Sequence, residues 1–396
     1  MKRILFVEDN EVLRQLYGIM LSDESDRWET TTAADGQIAM ELLRQAPFDV
    51  VASDMQMPGM SGIELLTEVR KLYPQTSRII ISGVSDQAEA ADSLHCTHLF
   101  IPKPFEVKTL KATLARIVSL DAYLKDDKLR GLAAKMRTLP SFPMIYLDII
   151  REIESPTSSI ENIAKIVAKD PAITAKILQV VNSAALGLPE KISDPVEAVQ
   201  QLGMTTVRSL TLSAQVFSSF KPGQLKHFSA DALWTHLMKC ADLARTIMRR
   251  ERAEFTESED AFTAGMLHDI GQLMLAESLP VEFEKALALA AQEKIPLHEA
   301  ELEIFGATHT GLAAYLFGLW GLPAAIVEAV AFRYAPEKTD LKKFSALTAV
   351  HVANALCDTS EAANLNLDYL EEIGVADRLN DWRDTAAELQ SEQQPA

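Results

Sequence analysis

The chain has 396 residues, with 38 Lys and Arg against 56 Asp and Glu, a formal net charge of −18. That balance argues against a nucleic-acid-binding output, which needs a clustered basic face to neutralise phosphates. Hydrophobic residues make up 48% of the chain, and at roughly 100–200 residues per domain the length implies two domains or three.

Up to about residue 118 short apolar runs alternate with amphipathic stretches. The runs are Ile4 to Val7, a weaker one around Trp28 to Thr32, Val50 to Ala52, Ile79 to Ile81 and His98 to Ile101. Near-continuous apolar strands separated by helical segments predict a parallel sheet covered on both faces. The helix-period segment Val107 to Leu120 closes this unit, and the charged stretch Asp121 to Lys128 reads as a helical linker. From Leu139 onward the strand signal fades. Apolar residues recur at helical spacing through 160–180, 196–217, 230–248, 261–276, 283–291, 310–318 and 347–356, with Pro and Gly mostly between them, so the second domain is predicted to be all-α. An acidic tail with short amphipathic signals follows Asp358.

Targeting signals are not evident. The run Ile4 to Val7 is too short for a signal sequence or a bilayer span. Cys96, Cys240 and Cys357 are widely spaced and show no metal-ligand pattern, as expected in a reducing compartment. A cytoplasmic protein without membrane contact is the expectation.

In open α/β sheets ligands bind at the carboxyl ends of the strands. Here those ends carry Glu8 and Asp9, Asp54, Ser82 and Lys103. Three carboxylates on one rim repel unless a hard cation takes their oxygens, and Mg²⁺ suits a few carboxylates plus waters and phosphate. Such a pocket fits phosphoryl transfer, with Asp54 as nucleophile and Lys103 and Ser82 holding phosphoryl oxygens.

Glu8-Asp9, the run Asp54-Met55-Gln56-Met57-Pro58-Gly59, Ser82-Gly83 and Lys103-Pro104-Phe105 together resemble a response-regulator receiver domain. The resemblance implies a flavodoxin-like fold of five parallel strands in the order 2-1-3-4-5. It further implies Asp54 as phosphoacceptor, with Glu8, Asp9, Asp54 and the Gln56 carbonyl around Mg²⁺. Ser82 and Phe100 become the switch pair, and a histidine kinase or phosphotransfer protein the phosphoryl donor.

In the second domain His268-Asp269 ends an apolar helical stretch, with His236 and His309 as candidate partners. Alone, a His-Asp pair is a weak signal, since a histidine on an apolar helix is more often a hydrogen-bonded core residue. The elements Leu139-Pro140, Asp170-Pro171, Asn182-Ser183, Leu202-Gly203, Trp234-Thr235-His236 and Gly265 to Gly271 are similar to those of an HDOD domain, an HD-related output domain of bacterial signalling proteins. The predicted boundaries are a receiver at 1–120, a linker at 121–135, the HD-like helical domain at 136–345 and a C-terminal helical extension at 346–396.

Departures from the catalytic HD pattern bear on activity. Asn354 stands where a hydrolase has its last metal-binding Asp, and Arg333 lies in the region where further histidines are expected. A neutral amide binds a divalent cation less strongly than a carboxylate, and a nearby guanidinium repels a second metal. His236, His268, Asp269, His309 and Asn354 are therefore read as a vestigial site without a firm metal or any catalytic residue. Two functions stand: a receiver joined to a non-catalytic protein-interaction output for an unidentified downstream signalling protein, or a metal-dependent phosphohydrolase of nucleotides or cyclic dinucleotides. Self-association into a homodimer is left open. Trp234 and Trp320 read as core anchors, and Arg245, Arg249, Arg250 and Arg252, beside Glu251, Glu254 and Glu257, as a solvated, salt-bridged face.

Overall fold

A computed structural model describes residues 2–21, 28–73, 76–82, 97, 99–103, 105, 107, 110–111, 114, 128–129, 132–133, 144–182, 191–219, 225–320, 322–339, 342–357 and 365–392. Of the linker expected at 121–135, only 128–129 and 132–133 are described, as helix. Cys96, Gly83, Pro104, Leu139, Pro140, Ser183 and the last four residues lie outside the described residues. The chain divides into two compact units, Met1–Phe142 with Tyr315–Leu322, and Pro143–Ala314 with Pro323–Ala396.

The N-terminal unit is built on strands β1 (Lys2–Val7), β2 (Trp28–Ala33), β3 (Val50–Asp54), β4 (Ser77–Ser82) and β5 (Leu99–Pro102). They form one sheet with every pairing parallel, as the strand pattern predicted, in the order β2-β1-β3-β4-β5 that the receiver resemblance implied. Ile4 to Phe6 on β1, Val51 and Ala52 on β3 and Ile79 and Ile80 on β4 are fully buried. Central parallel strands covered on both faces need apolar side chains on both, which is why these runs do not alternate. Helices α1 (Glu11–Leu21), α2 (Gly36–Gln45) and α3 (Gly62–Leu72) follow the first three strands. Ser61 and Glu64 close a reciprocal capping box at the start of α3, fixing where the loop after Asp54 ends.

The second unit is helical, as expected, with more breaks than periodicity suggested. The stretch read as 160–180 is two helices, Ile160–Val167 and Pro171–Val181. Asp170 caps the second by accepting from the Ala172 and Ile173 N–H groups, and Pro171 supplies its first turn. The stretch 196–217 divides into Pro195–Leu202 and Met204–Ser219 at Gly203, whose φ of 78° favours glycine. The stretch 261–276 divides into Phe255–Leu267 and Ile270–Ser278, the break falling on His268 and Asp269.

At the centre the helix Ala230–Arg250 packs against Phe255–Leu267 and Ala346–Cys357. Glycines permit the closest approaches. A Cβ on Gly265 would lie 2.5 Å from Ala241 Cα, and one on Gly271 would lie 2.0 Å from the His309 carbonyl oxygen. Backbone cannot yield as a flexible side chain does, so overpacking here costs about 1–3 kcal/mol or more. Gly271→Ala is expected to destabilise the helical domain by at least about 2 kcal/mol. Gly18→Ala, on an exposed helix with open space around it, should instead stabilise the receiver by up to about 1 kcal/mol. Denaturant unfolding of the two variants beside the parent checks both signs.

Candidate functional site

Asp54 is the last residue of β3, and Glu8 and Asp9 follow β1 directly, so the sheet delivers all three to one edge. Their ligand atoms lie within 4.8 Å of one another. Glu8 is 1% exposed. Burial pushes its carboxyl up, against the lowering effect of Lys103. The Lys103 ammonium donates to Glu8 Oε2 at 2.9 Å and to Asp54 Oδ2 at 2.8 Å. Burial alone would pull that ammonium down, but the two carboxylates together outweigh it and hold its pKa above the usual lysine value.

Asp54 is fixed in rotation, since Met55 N–H donates to Oδ1 at 2.8 Å while Lys103 holds Oδ2. The Asp54 carbonyl is equally confined. It accepts from the Ser53 hydroxyl at 2.8 Å, and a Cβ on Gly62 would sit 2.0 Å from it. Arg14 donates to the Glu8 carbonyl at 2.7 Å, shaping the turn that carries Asp9. Gln56 is exposed two residues beyond Asp54. Ser82 and Phe100 occupy β4 and β5 as expected, but their side chains lie outside the described residues. The set of oxygen donors around one cation, with carboxylates left partly unneutralised by a single ammonium, fits Mg²⁺.

The helical domain brings together all five residues of the second expected site. His268 donates from Nδ1 to the Gly265 carbonyl at 2.7 Å, which leaves the Nε2 lone pair facing inward. That Nε2 lies 3.3 Å from His236 Nε2 and 3.2 Å from Asn354 Oδ1. His236 Nε2 and Asn354 Oδ1 are 3.2 Å apart. Burial drives the His268 pKa down to about 3, so the imidazole is neutral.

Asp269 faces two ways. Its Oδ2 lies 3.9 Å from His236 Nε2 and 3.6 Å from His268 Nε2. Its Oδ1 accepts from His309 Nε2 at 2.8 Å and from the Arg333 guanidinium. The other nitrogen of His309 donates to Glu301 at 2.6 Å, so this imidazole bridges two buried carboxylates. Burial would lower the His309 pKa, but Glu301 and Asp269 raise it to about 9. Burial would raise Asp269, but Arg333, His268 and His309 hold its carboxyl well below the usual range. A cavity of about 570 Å³, lined by His227, Gln272, Lys294 and Tyr334 among others, reaches His236, Asp269 and Asn354.

Residues 139–336, half of the chain, match the family described as HDOD domain. The chain belongs to the HDOD family. Residues 4–115 match the response regulator receiver domain, so the HDOD domain here follows a receiver, as the motifs implied. An HDOD-domain structure from Geobacter sulfurreducens, of unknown function, covers 69% of this chain and 95% of its own at a TM-score of 0.56 and 24% identity. That likeness shows the fold. An uncharacterized protein of Treponema pallidum is 22% identical over 249 residues, 61% of this chain. A response regulator receiver protein of Anaeromyxobacter is 35% identical over 108 residues, 27% of this chain. The aligned part spans 44% of the length of each of these two relatives.

Against this geometry three expectations change. The cysteines were read as lacking any ligand pattern, yet Cys240, one turn after His236, lies with His236 and His268 so that their ligand atoms are within 4.8 Å of one another. The arginines near 250 pair with other acids than the neighbouring glutamates: Arg245 with Asp242, Arg249 with Glu259 and Arg250 with Glu388. His309 turns toward Asp269 and Glu301, away from the two inner imidazoles. Glu301, fully buried, escaped notice because a lone glutamate in an acidic helix gives no sign of burial.

The two buried histidines of the HDOD domain give opposite pH limbs. His309, raised from 6.5 to about 9, contributes stability that is fully present below pH 6.5 and lost as pH rises through about 9. His268, lowered from 6.5 to about 3, contributes stability present above pH 6.5 and lost as pH falls toward 3. Each limb is on the order of 3 kcal/mol. Unfolding of the full chain, measured in chelator by tryptophan fluorescence across pH 4 to 10, is expected to show greatest HDOD stability near about pH 6.5. A flat alkaline limb would contradict the His309 pairing.

Proposed function

We propose that Asp54 accepts a phosphoryl group from a histidine kinase or phosphotransfer protein and that the HDOD domain serves as a non-catalytic protein-interaction output. The observation that carries the first half is the Lys103 ammonium shared between Glu8 and Asp54. It sets one positive charge between two of the three acids and is placed to move onto a phosphoryl oxygen once one arrives. Asp54 Oδ forms the new bond to phosphorus as the phosphorus–nitrogen bond of phosphohistidine breaks, its electron pair returning to the imidazole nitrogen, which takes a proton from solvent. Glu8, Asp9, Asp54 and the Gln56 carbonyl would hold Mg²⁺, which supplies positive charge to the transferring oxygens when bound. Met55 N–H limits rotation of the attacking carboxylate, so little ordering remains to be done at the moment of transfer.

Support for a non-catalytic output comes from Asp269. A hydrolytic metal centre needs that carboxylate for the ion and an open position for water. Here one Asp269 oxygen is committed to Arg333 and His309, and the distal ligand is the neutral Asn354. The cavity beside His236 favours the competing phosphohydrolase reading, which predicts metal-dependent turnover that His268→Ala abolishes. The output reading expects none with nucleotides or cyclic dinucleotides.

Intact mass after incubation with acetyl phosphate and Mg²⁺ is expected to rise by ~80 Da in the parent and not in Asp54→Ala. An equal gain in both would remove Asp54 as acceptor. Among the described residues no helix is long and apolar enough to cross a membrane. Protein treated with beryllofluoride should recover a partner that Asp54→Ala does not.

A further inference from the structure

Two of the chain's three cysteines are distant in sequence and adjacent in the fold. Cys240 lies within Ala230–Arg250 and Cys357 is the last residue of Ala346–Cys357, two helices packed along one another. His236 on the first meets Asn354 on the second at 3.2 Å. One turn further along each helix stand Cys240 and Cys357, and their two thiols are hydrogen-bonded to each other. Ala353, one turn before Cys357, is fully buried and offers only a methyl group. The backbones therefore approach closely, and Cys240 Sγ lies 3.9 Å from the Ala353 carbonyl oxygen.

The rest of the surroundings leave the second thiol as the chemical partner of the first. Cys240 Sγ is 3.5 Å from His236 Nε2 and 3.8 Å from Nδ1, beside the ring and out of line with either lone pair. Full burial raises the Cys240 pKa well above the usual cysteine value, and the hydrogen bond to Cys357 adds to it by favouring the proton on Cys240. Cys357 is half-buried at its helix end. The pair is asymmetric, with one sulfur within reach of solvent and the other sealed in the core.

We infer that Cys240 and Cys357 are a site of oxidative modification, closing to a reversible disulfide when the protein meets a peroxide. Cys357, as its thiolate, attacks one peroxide oxygen. The oxygen–oxygen bond breaks, the departing hydroxide takes a proton to become water, and Cys357 becomes a sulfenic acid. Cys240 sulfur then attacks Cys357 sulfur, the sulfur–oxygen bond breaks, and the hydroxyl leaves as water with the Cys240 proton. Two thiols are oxidised, and one peroxide is reduced to two waters. The sulfurs must close from hydrogen-bonding separation to about 2.05 Å. Cys357 ends its helix, where the backbone adjusts most easily, and supplies that movement. In a reducing compartment such a bond is transient, formed under oxidant and reversed by thiol exchange. The site is independent of phosphorylation at Asp54.

The test uses the full chain, reduced, freed of reductant and exposed to a small excess of hydrogen peroxide. Remaining thiols are then alkylated and the protein is digested without reduction. The intact parent should lose the mass of two hydrogens, the digest should contain peptides joined through residues 240 and 357, and dithiothreitol should restore both thiols. Cys357→Ser should block the change and leave Cys240 reduced. Cys240→Ala should stop at the sulfenic acid on Cys357, captured by dimedone. Cys96→Ser and Asp54→Ala should behave as the parent. Because a cross-link restrains the unfolded chain, the urea midpoint of the oxidised parent should rise above that of the reduced protein, with no rise in Cys357→Ser. A bond to Cys96, a bond between chains only, Cys357 oxidised past the sulfenic acid beside a free Cys240, or a folded parent that does not react would overturn the assignment. So would a 240–357 bond that lowers the midpoint, since it would form only by breaking the packing.

Discussion

Carboxylates held out of water must be neutralised, and the two halves of this chain do so in different ways. Desolvation of an unpaired carboxylate costs several kcal/mol, so such a group either takes a proton or acquires a cation. At the receiver edge Glu8 and Asp54 share the single ammonium of Lys103, which leaves a net negative site with room for a divalent ion. In the HDOD domain Asp269 and Glu301 have protein cations packed against them: Arg333 on Asp269, and His309 between the two acids. One site is poised to take positive charge and the other already has it.

That difference follows from where the chain breaks. Parallel strands place their carboxyl ends on one edge, so acids far apart in sequence meet without any special packing. The helical site has no such scaffold. It depends on the interruption at His268 and Asp269, which turns the two side chains of one dipeptide in separate directions, His268 toward Asn354 and Asp269 toward Arg333. Gly265 and Gly271 flank that interruption at distances where no larger residue fits. Close backbone packing on either side fixes the direction of each side chain, and small volume changes there are transmitted to the site.

Sequence reading served the receiver well because its information is local. A short apolar run followed at once by an acid, a serine or a lysine states both the strand and its functional end. The helical domain was legible in class but not in detail. Apolar periodicity runs straight through 168–170, 203 and 268–269, so three pairs of helices read as single ones, although Asp170-Pro171 and Gly203 signal two of the breaks. His268-Asp269 stands out as a dipeptide with His236 and His309 as candidate partners, but Asn354 enters only by resemblance, since residues 118 positions apart, as His236 and Asn354 are, announce nothing about their meeting. Cys240 was passed over as a solitary cysteine because its partners lie on other helices, save His236 one turn away. Glu301 and Arg333 show the same limit: burial of a charge is a property of the packed structure.

The two clusters differ in donor chemistry. Glu8, Asp9 and Asp54 offer only oxygen, which suits a hard, well-hydrated ion that also binds phosphoryl oxygens. The cluster at His236, His268 and Asn354 offers imidazole nitrogen and one amide oxygen, for which Mg²⁺ does not readily give up its own waters. His236 and Asn354 meet because Ala230–Arg250 and Ala346–Cys357 pack side by side, so the helical cluster is held by helix packing where the receiver edge is held by the sheet.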